Sequence, residues 1–265
     1  MVWDVGEGSL FLIDIHSHLL PNVDDGSQSV EQSVAVLAQF AEQGITDVML
    51  TPHVRASELA IDPEDELERR DVAFELLRRE VPARPRLHLG FEIMLDQPIS
   101  QETLSNRRFA LAGSRYFLVE FYMSVAAASV EAALKQIVEA GVVPLVAHPE
   151  RYGMCSAAAV TRWRELGAKV QVDATTLTRS SLRAGKAKQI VRSGAADVLA
   201  ADNHGDQRCL SAAFEFLSQE GSPEAAQMLM VENPRSVLED RPMETVPPIA
   251  IREGVWSRFK NIIRI

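Results

Sequence analysis

The sequence predicts an α/β fold in which strand–helix units repeat and close into a distorted (β/α)7 TIM-like barrel. Short β-rich runs alternate with amphipathic stretches of helical period, and the order helix, glycine, strand recurs along the chain. Seven such units suit a ring better than an open sheet.

Strands are expected at 10–15, 47–50, 86–92, 116–121, 143–147, 169–172 and 197–201. Most are dense in Val, Ile, Leu and Phe, as strands covered on both faces should be. Between them, helices are expected at 29–43, 64–80, 129–140, 157–166, 184–192, 207–219 and 223–231. Gly44, Gly141, Gly167 and Gly194 follow four of these and suit a left-handed helix end. Val81-Pro82 stops another. The segment 242–265 differs. It opens on Pro242, Pro247 and Pro248, and from residue 249 onward Arg252, Arg258, Lys260 and Arg264 stand against Glu253 alone. A barrel domain over 1–241 with a C-terminal extension over 242–265 is therefore expected. The extension would pack on its own domain or on a second copy in a homo-oligomer.

The bulk composition narrows the function. The chain has 265 residues, 46% of them hydrophobic and 24% charged, which is enough apolar material for a real core. A formal net charge of −10 argues against nucleic acid as a partner, because phosphate contacts need a basic surface. No apolar run is long enough to span a membrane, and the first residues lack the basic start and apolar stretch of a signal peptide, so a cytoplasmic location is expected. The two cysteines, Cys155 and Cys209, have no zinc-type spacing. Neither has an arginine six residues on, where a cysteine phosphatase would close its phosphate loop: Thr161 and Glu215 stand there.

The chemistry is carried by histidines. Five of the six lie at or just past the C-terminal end of an expected strand, the end that bears the active site in parallel βα barrels. His16 and His18 are two apart on extended backbone, so their imidazoles share a side and can bind one metal. Asp24 and Asp25 follow before a turn at Gly26. Adjacent side chains diverge, so one of the two, not both, faces the same cation. His53 leaves the second strand behind Pro52. Glu92 ends the third, where Gly90 leaves room for close backbone approach and both oxygens of Glu92 could bridge two metals. Glu120 ends an otherwise apolar strand, where an unpaired carboxylate is costly and wants a cation. His148 ends the fifth, followed by Arg151, whose planar fork suits a phosphate. Asp202 and His204 repeat the spacing of His16 and His18. His88, inside the third strand, reads as structural. Five histidines and several carboxylates at one rim exceed the ligand set of one catalytic zinc and suit two or three divalent ions. Such sites suit phosphoester hydrolysis. Imidazole with mixed carboxylate fits manganese, iron or zinc.

The ordered motifs Asp14-Ile15-His16-Ser17-His18, Asp24-Asp25-Gly26, Thr51-Pro52-His53, Gly90-Phe91-Glu92, Glu120-Phe121, His148-Pro149-Glu150-Arg151-Tyr152 and Asp202-Asn203-His204 resemble the polymerase-and-histidinol-phosphatase (PHP) superfamily. Within it they are most similar to the bacterial manganese-dependent protein tyrosine phosphatases of capsule and exopolysaccharide operons. The resemblance runs from about residue 11 to about 234. It implies the PHP barrel with three metals, manganese first among them. His16, His18, Glu92 and Asp202 would serve one side of the cluster, and Asp25, His53, Glu92, Glu120, His148 and His204 would complete it. It further implies attack on phosphorus by a metal-activated hydroxide, no phosphoenzyme, and a substrate that is a phosphotyrosine protein, a bacterial tyrosine kinase of polysaccharide export. Arg151 matches the family's phosphate-contacting arginine. Arg208 is the nearby candidate for a second one, at a shorter spacing than the family uses. Val172-Asp173-Ala174-Thr175 and Phe121-Tyr122-Met123 also depart from the family pattern. The alternatives are a small-molecule phosphatase of the histidinol-phosphate type and a metal-binding partner protein without catalysis.

Overall fold

The computed structural model describes residues 11–249 and 251. Among the described residues nine strands appear: β1 (Leu12–Ser17), β2 (Ile45–Leu50), β3 (His53–Arg55), β4 (Arg86–Leu89), β5 (Glu92–Met94), β6 (Tyr116–Glu120), β7 (Val143–Val146), β8 (Lys169–Asp173) and β9 (Val198–Ala200). Every pairing is parallel, in the orders β1-β2-β4 and β3-β5-β6-β7-β8-β9. The seven expected strands are all present, but a short extra strand follows the second and the third is broken in two. β2 passes into β3 at Thr51-Pro52, and β4 into β5 at Gly90-Phe91. At Gly90 a Cβ would lie 2.7 Å from Leu111 Cδ2 and 3.3 Å from Leu111 Cα, so glycine lets the strand bend there without displacing Leu111. The ring closes through a parallel bridge between Ser17 and Asn203, where Asp202 N–H donates to His16 O (3.0 Å) and His18 N–H to Asn203 O (2.7 Å). The result is a TIM-like α/β barrel.

The helices that cover it start as their sequences dictate. Ser29, Ser100, Ser156 and Ser181 each accept an N–H from three residues on and cap α1 (Val30–Glu42), α4 (Gln101–Ser105), α6 (Ala157–Glu165) and α8 (Leu182–Arg192). Asp62 caps α3 (Pro63–Arg78), with Pro63 in its first turn. α1 ends before Gly44, whose φ of 82° is left-handed as expected. α5 (Ala127–Glu139) lies close to expectation. α9 (Ser211–Gln219) starts four residues later than expected, because Asn203 Nδ2 donates to Asp206 O and Arg208 O and holds that stretch as a loop. The short helices α2 (Ala56–Leu59), α7 (Ala174–Thr178) and α11 (Asn233–Leu238) were not expected, and the expected helix at 223–231 is α10 (Pro223–Gln227) followed by a π turn, Met228–Glu232.

Two layers of core hold this together. The larger lies between strands and helices and includes Phe40, Leu67, Phe117, Leu134, Trp163 and Ile190. The smaller fills the barrel with Ile13, Ile15, Met49, Leu118, Leu145 and Val198, sealed at the lower end by Tyr116, Val237 and Met243. Met243 belongs to the extension. Its N–H donates to Tyr116 Oη (3.1 Å), Asn233 brackets Glu244, and Ile249 N–H donates to Arg192 O (3.0 Å). The extension thus packs on its own barrel as far as it is described. Arg252, Arg258, Lys260 and Arg264 lie outside the described residues. Among the described residues no helix is long and apolar enough to cross a membrane.

Candidate metal centre

The upper rim gathers the residues expected there. His16 and His18 bring their Nε2 atoms to 3.1 Å of each other, and both lie within 3.4 Å of Glu92 Oε2 and Asp202 Oδ1. These four form one buried group able to hold a cation. His53 Nδ1 lies 3.1 Å from both Glu92 Oε2 and Glu120 Oε1, a second group. His18, Asp25, His53 and His204 make a third, with Asp25 Oδ1 at 3.5 Å from His53 Nε2 and from His204 Nε2. His148 Nε2 reaches Glu92 Oε1 at 2.8 Å. Glu92 is therefore central. One oxygen faces three imidazoles and the other faces His148.

Strand-end geometry makes the convergence. His148 (φ 29°) and Asp202 (φ 50°) both take left-handed backbone where β7 and β9 end, a conformation that costs a non-glycine residue about 1–3 kcal/mol and turns each side chain inward. Behind the rim, a layer of acceptors orients the rings. His18 Nδ1 meets Asp24 Oδ2 at 2.6 Å, and Asp24 also accepts the N–H groups of His53 and Gly26. The paired aspartates divide: the Asp24 side chain is buried behind His18, while Asp25, 73% exposed at its side chain, lies near His53 and His204. His16 Nδ1 meets Gln171 Oε1 at 3.1 Å, and His204 Nδ1 meets Asp202 O at 3.0 Å, so both present Nε2 to the cluster.

The electrostatics are those of a charge cluster. Burial pushes Glu92 and Asp202 toward neutrality, but the charges of His16 and its neighbours outweigh it and hold both carboxyls well below the usual range. Burial acts to lower His16, His18 and His53, but nearby carboxylates lift all three: Glu92 and Asp202 for His16, Asp202, Asp24 and Glu92 for His18, and Glu120 and Glu92 for His53. Burial and the charge of His18 lower His204. Glu92 Oε2 and Asp202 Oδ1 are fully buried and find no well-aligned hydrogen-bond donor. Two orphaned carboxylate oxygens facing imidazole nitrogens are what a divalent cation would satisfy, so the residues fit metal ions.

Two arginines stand at the edge. Arg151 Nη2 donates to Asp202 Oδ2, and Arg208 Nη1 donates to the same oxygen at 3.3 Å. The chain turns back through Gly205, which brings Arg208 beside Asp202 despite its short spacing. Asp14 was not an expected site residue. Its Oδ1 accepts Ala201 N–H at 3.0 Å, and burial pushes its carboxyl up to about 7. Gln171 is the other addition, and a glutamine inside the expected strand 169–172 was the available signal for it. His88 lies away from the rim, its Nε2 2.8 Å from Asp47 Oδ1, in a structural pairing. Cys155 is buried, and burial pushes its thiol up to about 12.

The sequence pattern of the family described as capsular polysaccharide synthesis, CpsB/CapC, matches residues 12–239. The tyrosine-protein phosphatase CpsB of Streptococcus pneumoniae is 26% identical over 242 residues, covering 87% of this chain and 99% of that protein. The tyrosine-protein phosphatase YwqE of Bacillus subtilis is 29% identical over 142 residues, 53% of this chain and 55% of that one. A chain from the crystal structures of YwqE and CpsB, described as unique metal-dependent tyrosine phosphatases, superposes with a TM-score of 0.74 at 24% identity, covering 91% of this chain and 100% of the other. The matched segment contains every rim residue described above, and the chain belongs to the CpsB/CapC family.

Proposed function

We propose that this protein is a metal-dependent protein-tyrosine phosphatase acting on a bacterial tyrosine kinase of polysaccharide export. The observation that carries the reading is the sharing of Glu92 and His53 among three adjoining ligand groups, with two arginines converging on Asp202 beside them. Three divalent cations, manganese first, suit the three groups. His16, His18, Glu92 and Asp202 would hold one, His53, Glu92 and Glu120 with His148 a second, and His18, Asp25, His53 and His204 a third. When bound, such ions supply an activated water and charge neutralisation for phosphoryl oxygens.

The chain's own residues do the rest. Glu92, fixed between four imidazoles, keeps the groups in one geometry. Arg151 and Arg208 carry permanent charge and donors suited to the non-bridging oxygens of a phosphate. A phenolate leaves readily, since its conjugate acid ionises at about 10, and needs little help from a general acid. The buried, strongly raised Cys155 thiol makes no nucleophile, which agrees with direct transfer to water rather than a phosphoenzyme. Residues 1–241 would form the catalytic unit and 242–265 its extension.

The test is turnover of p-nitrophenyl phosphate and of a phosphotyrosine peptide, with and without manganese, alongside histidinol phosphate. Manganese-dependent turnover of the aryl substrates, lost on chelation, is expected. Absence of metal-stimulated turnover refutes the proposal, and preference for histidinol phosphate moves the activity to small molecules.

A further inference from the structure

Asp202 serves many partners. Its Oδ1 lies 3.3–3.4 Å from the Nε2 atoms of His18 and His16, and its Oδ2 is shared by Arg151 and Arg208. It therefore makes a poor sole anchor for either guanidinium. Arg208 has a second one, since its Nε donates to Asp206 Oδ2 at 2.8 Å. Arg151 has another in a different element. Its Nη2 also lies 3.3 Å from Oδ2 of Asp173, the last residue of β8.

Asp173 is built to stay in place. It is buried, and it caps α7: Oδ1 accepts Thr176 N–H at 3.0 Å and Oδ2 accepts the Thr176 hydroxyl at 2.8 Å. Its own N–H donates to Glu150 Oε1 at 2.9 Å, which ties the end of β8 to the turn that carries Arg151. Both carboxylates take the same nitrogen of Arg151, and its buried Nε makes no hydrogen bond. The fork is thus gripped at one corner, with its Nε edge unengaged.

We propose that Asp173 is a positioning residue that aims Arg151 at the phosphoryl group of the substrate. This rests on the reading of Arg151 as a phosphate-binding residue. Asp173 touches no reacting atom; it acts through the guanidinium. Its carboxylate keeps Arg151 in place independently of whatever Asp202 is bound to.

The experiment is a double-mutant cycle in the full-length, manganese-loaded enzyme, pairing Asp173→Asn with Arg151→Lys. Each variant is assayed for KM and kcat on p-nitrophenyl phosphate and for inhibition by inorganic phosphate. Asp173→Asn should raise KM and the phosphate inhibition constant about ten-fold, the scale of one hydrogen bond to a charged group, with a smaller change in kcat. In the Arg151→Lys background the same substitution should change little. An equal loss in both backgrounds makes Asp173 merely structural and overturns the proposal, as does an unchanged phosphate constant in Asp173→Asn when Arg151→Lys weakens it. If Arg151→Lys itself leaves phosphate inhibition unchanged, the phosphate reading of Arg151 falls, and the role of Asp173 falls with it. Should Asp173→Asn not fold, Thr176→Val removes only the hydroxyl on Asp173 Oδ2 and must give a weaker version of the same pattern.

Discussion

Replacing Asp24 with asparagine should both destabilise the metal-free protein and weaken its hold on cations. Burial alone would raise the Asp24 carboxyl. The hydrogen bond and charge of His18, with the N–H groups of His53 and Gly26, overcome this and hold it at about 2, against an ordinary 3.8. At about 1.4 kcal/mol per pH unit, that difference is worth about 2 kcal/mol of folding stability. The folded value lies below the unfolded one. The contribution is therefore complete above about pH 4 and vanishes as the pH falls through about 2. Urea unfolding of the chelated protein should show Asp24→Asn less stable by about 2 kcal/mol near neutral pH, with the gap closing in acid. Because Asp24 orients His18 through Nδ1, cation affinity should fall roughly 10–100-fold, measured by titration calorimetry. A stability gap that persists unchanged at about pH 2, together with unaltered cation affinity, would refute the reasoning.

Three further outcomes follow from the same geometry. Glu92→Gln should leave the chain folded but abolish turnover and lower the number of cations found by elemental analysis; full metal content would show that Glu92 is not shared. Gly90→Ala should cost about 1–3 kcal/mol in chemical denaturation, because the added methyl meets Leu111 at 2.7 Å; a neutral effect would mean the strand break relaxes freely. Cys155→Ala should leave kcat within about two-fold, as expected of a buried thiol with no part in the chemistry. A large loss there would point to thiol chemistry instead.

Much of the barrel was legible because parallel strands covered on both faces leave continuous apolar runs, and because glycine stops mark helix ends. The break at Gly90-Phe91 was not legible, since it depends on contact with Leu111, distant in sequence. The rim residues were readable as types at strand ends. Their division of labour was not. Asp24 and Asp25 are chemically alike, and only the fold shows one behind His18 and the other at the opening. Gln171 and Asp173 act across strands, so their partners His16 and Arg151 are invisible along the chain. The fold-back of the Arg208 loop rests on Asn203 bonding the Asp206 and Arg208 carbonyls, which spacing alone does not show.

The closure between Ser17 and Asn203 has a consequence for how the protein is held together. The ladder joining first and last strands is thin, and Asp14 must lend a side-chain oxygen to Ala201 N–H to extend it. An ion gripped by His16 and His18 on one side and Asp202 on the other would act as a cross-link across that seam. It would tie together two points 186 residues apart along the chain. By the chain-entropy reckoning used for disulfides, a clasp over so long a loop is worth about 5 kcal/mol. Stripped of its ions, the barrel should unzip first between β1 and β9, and hydrogen exchange should find that seam the fastest of its strand pairs.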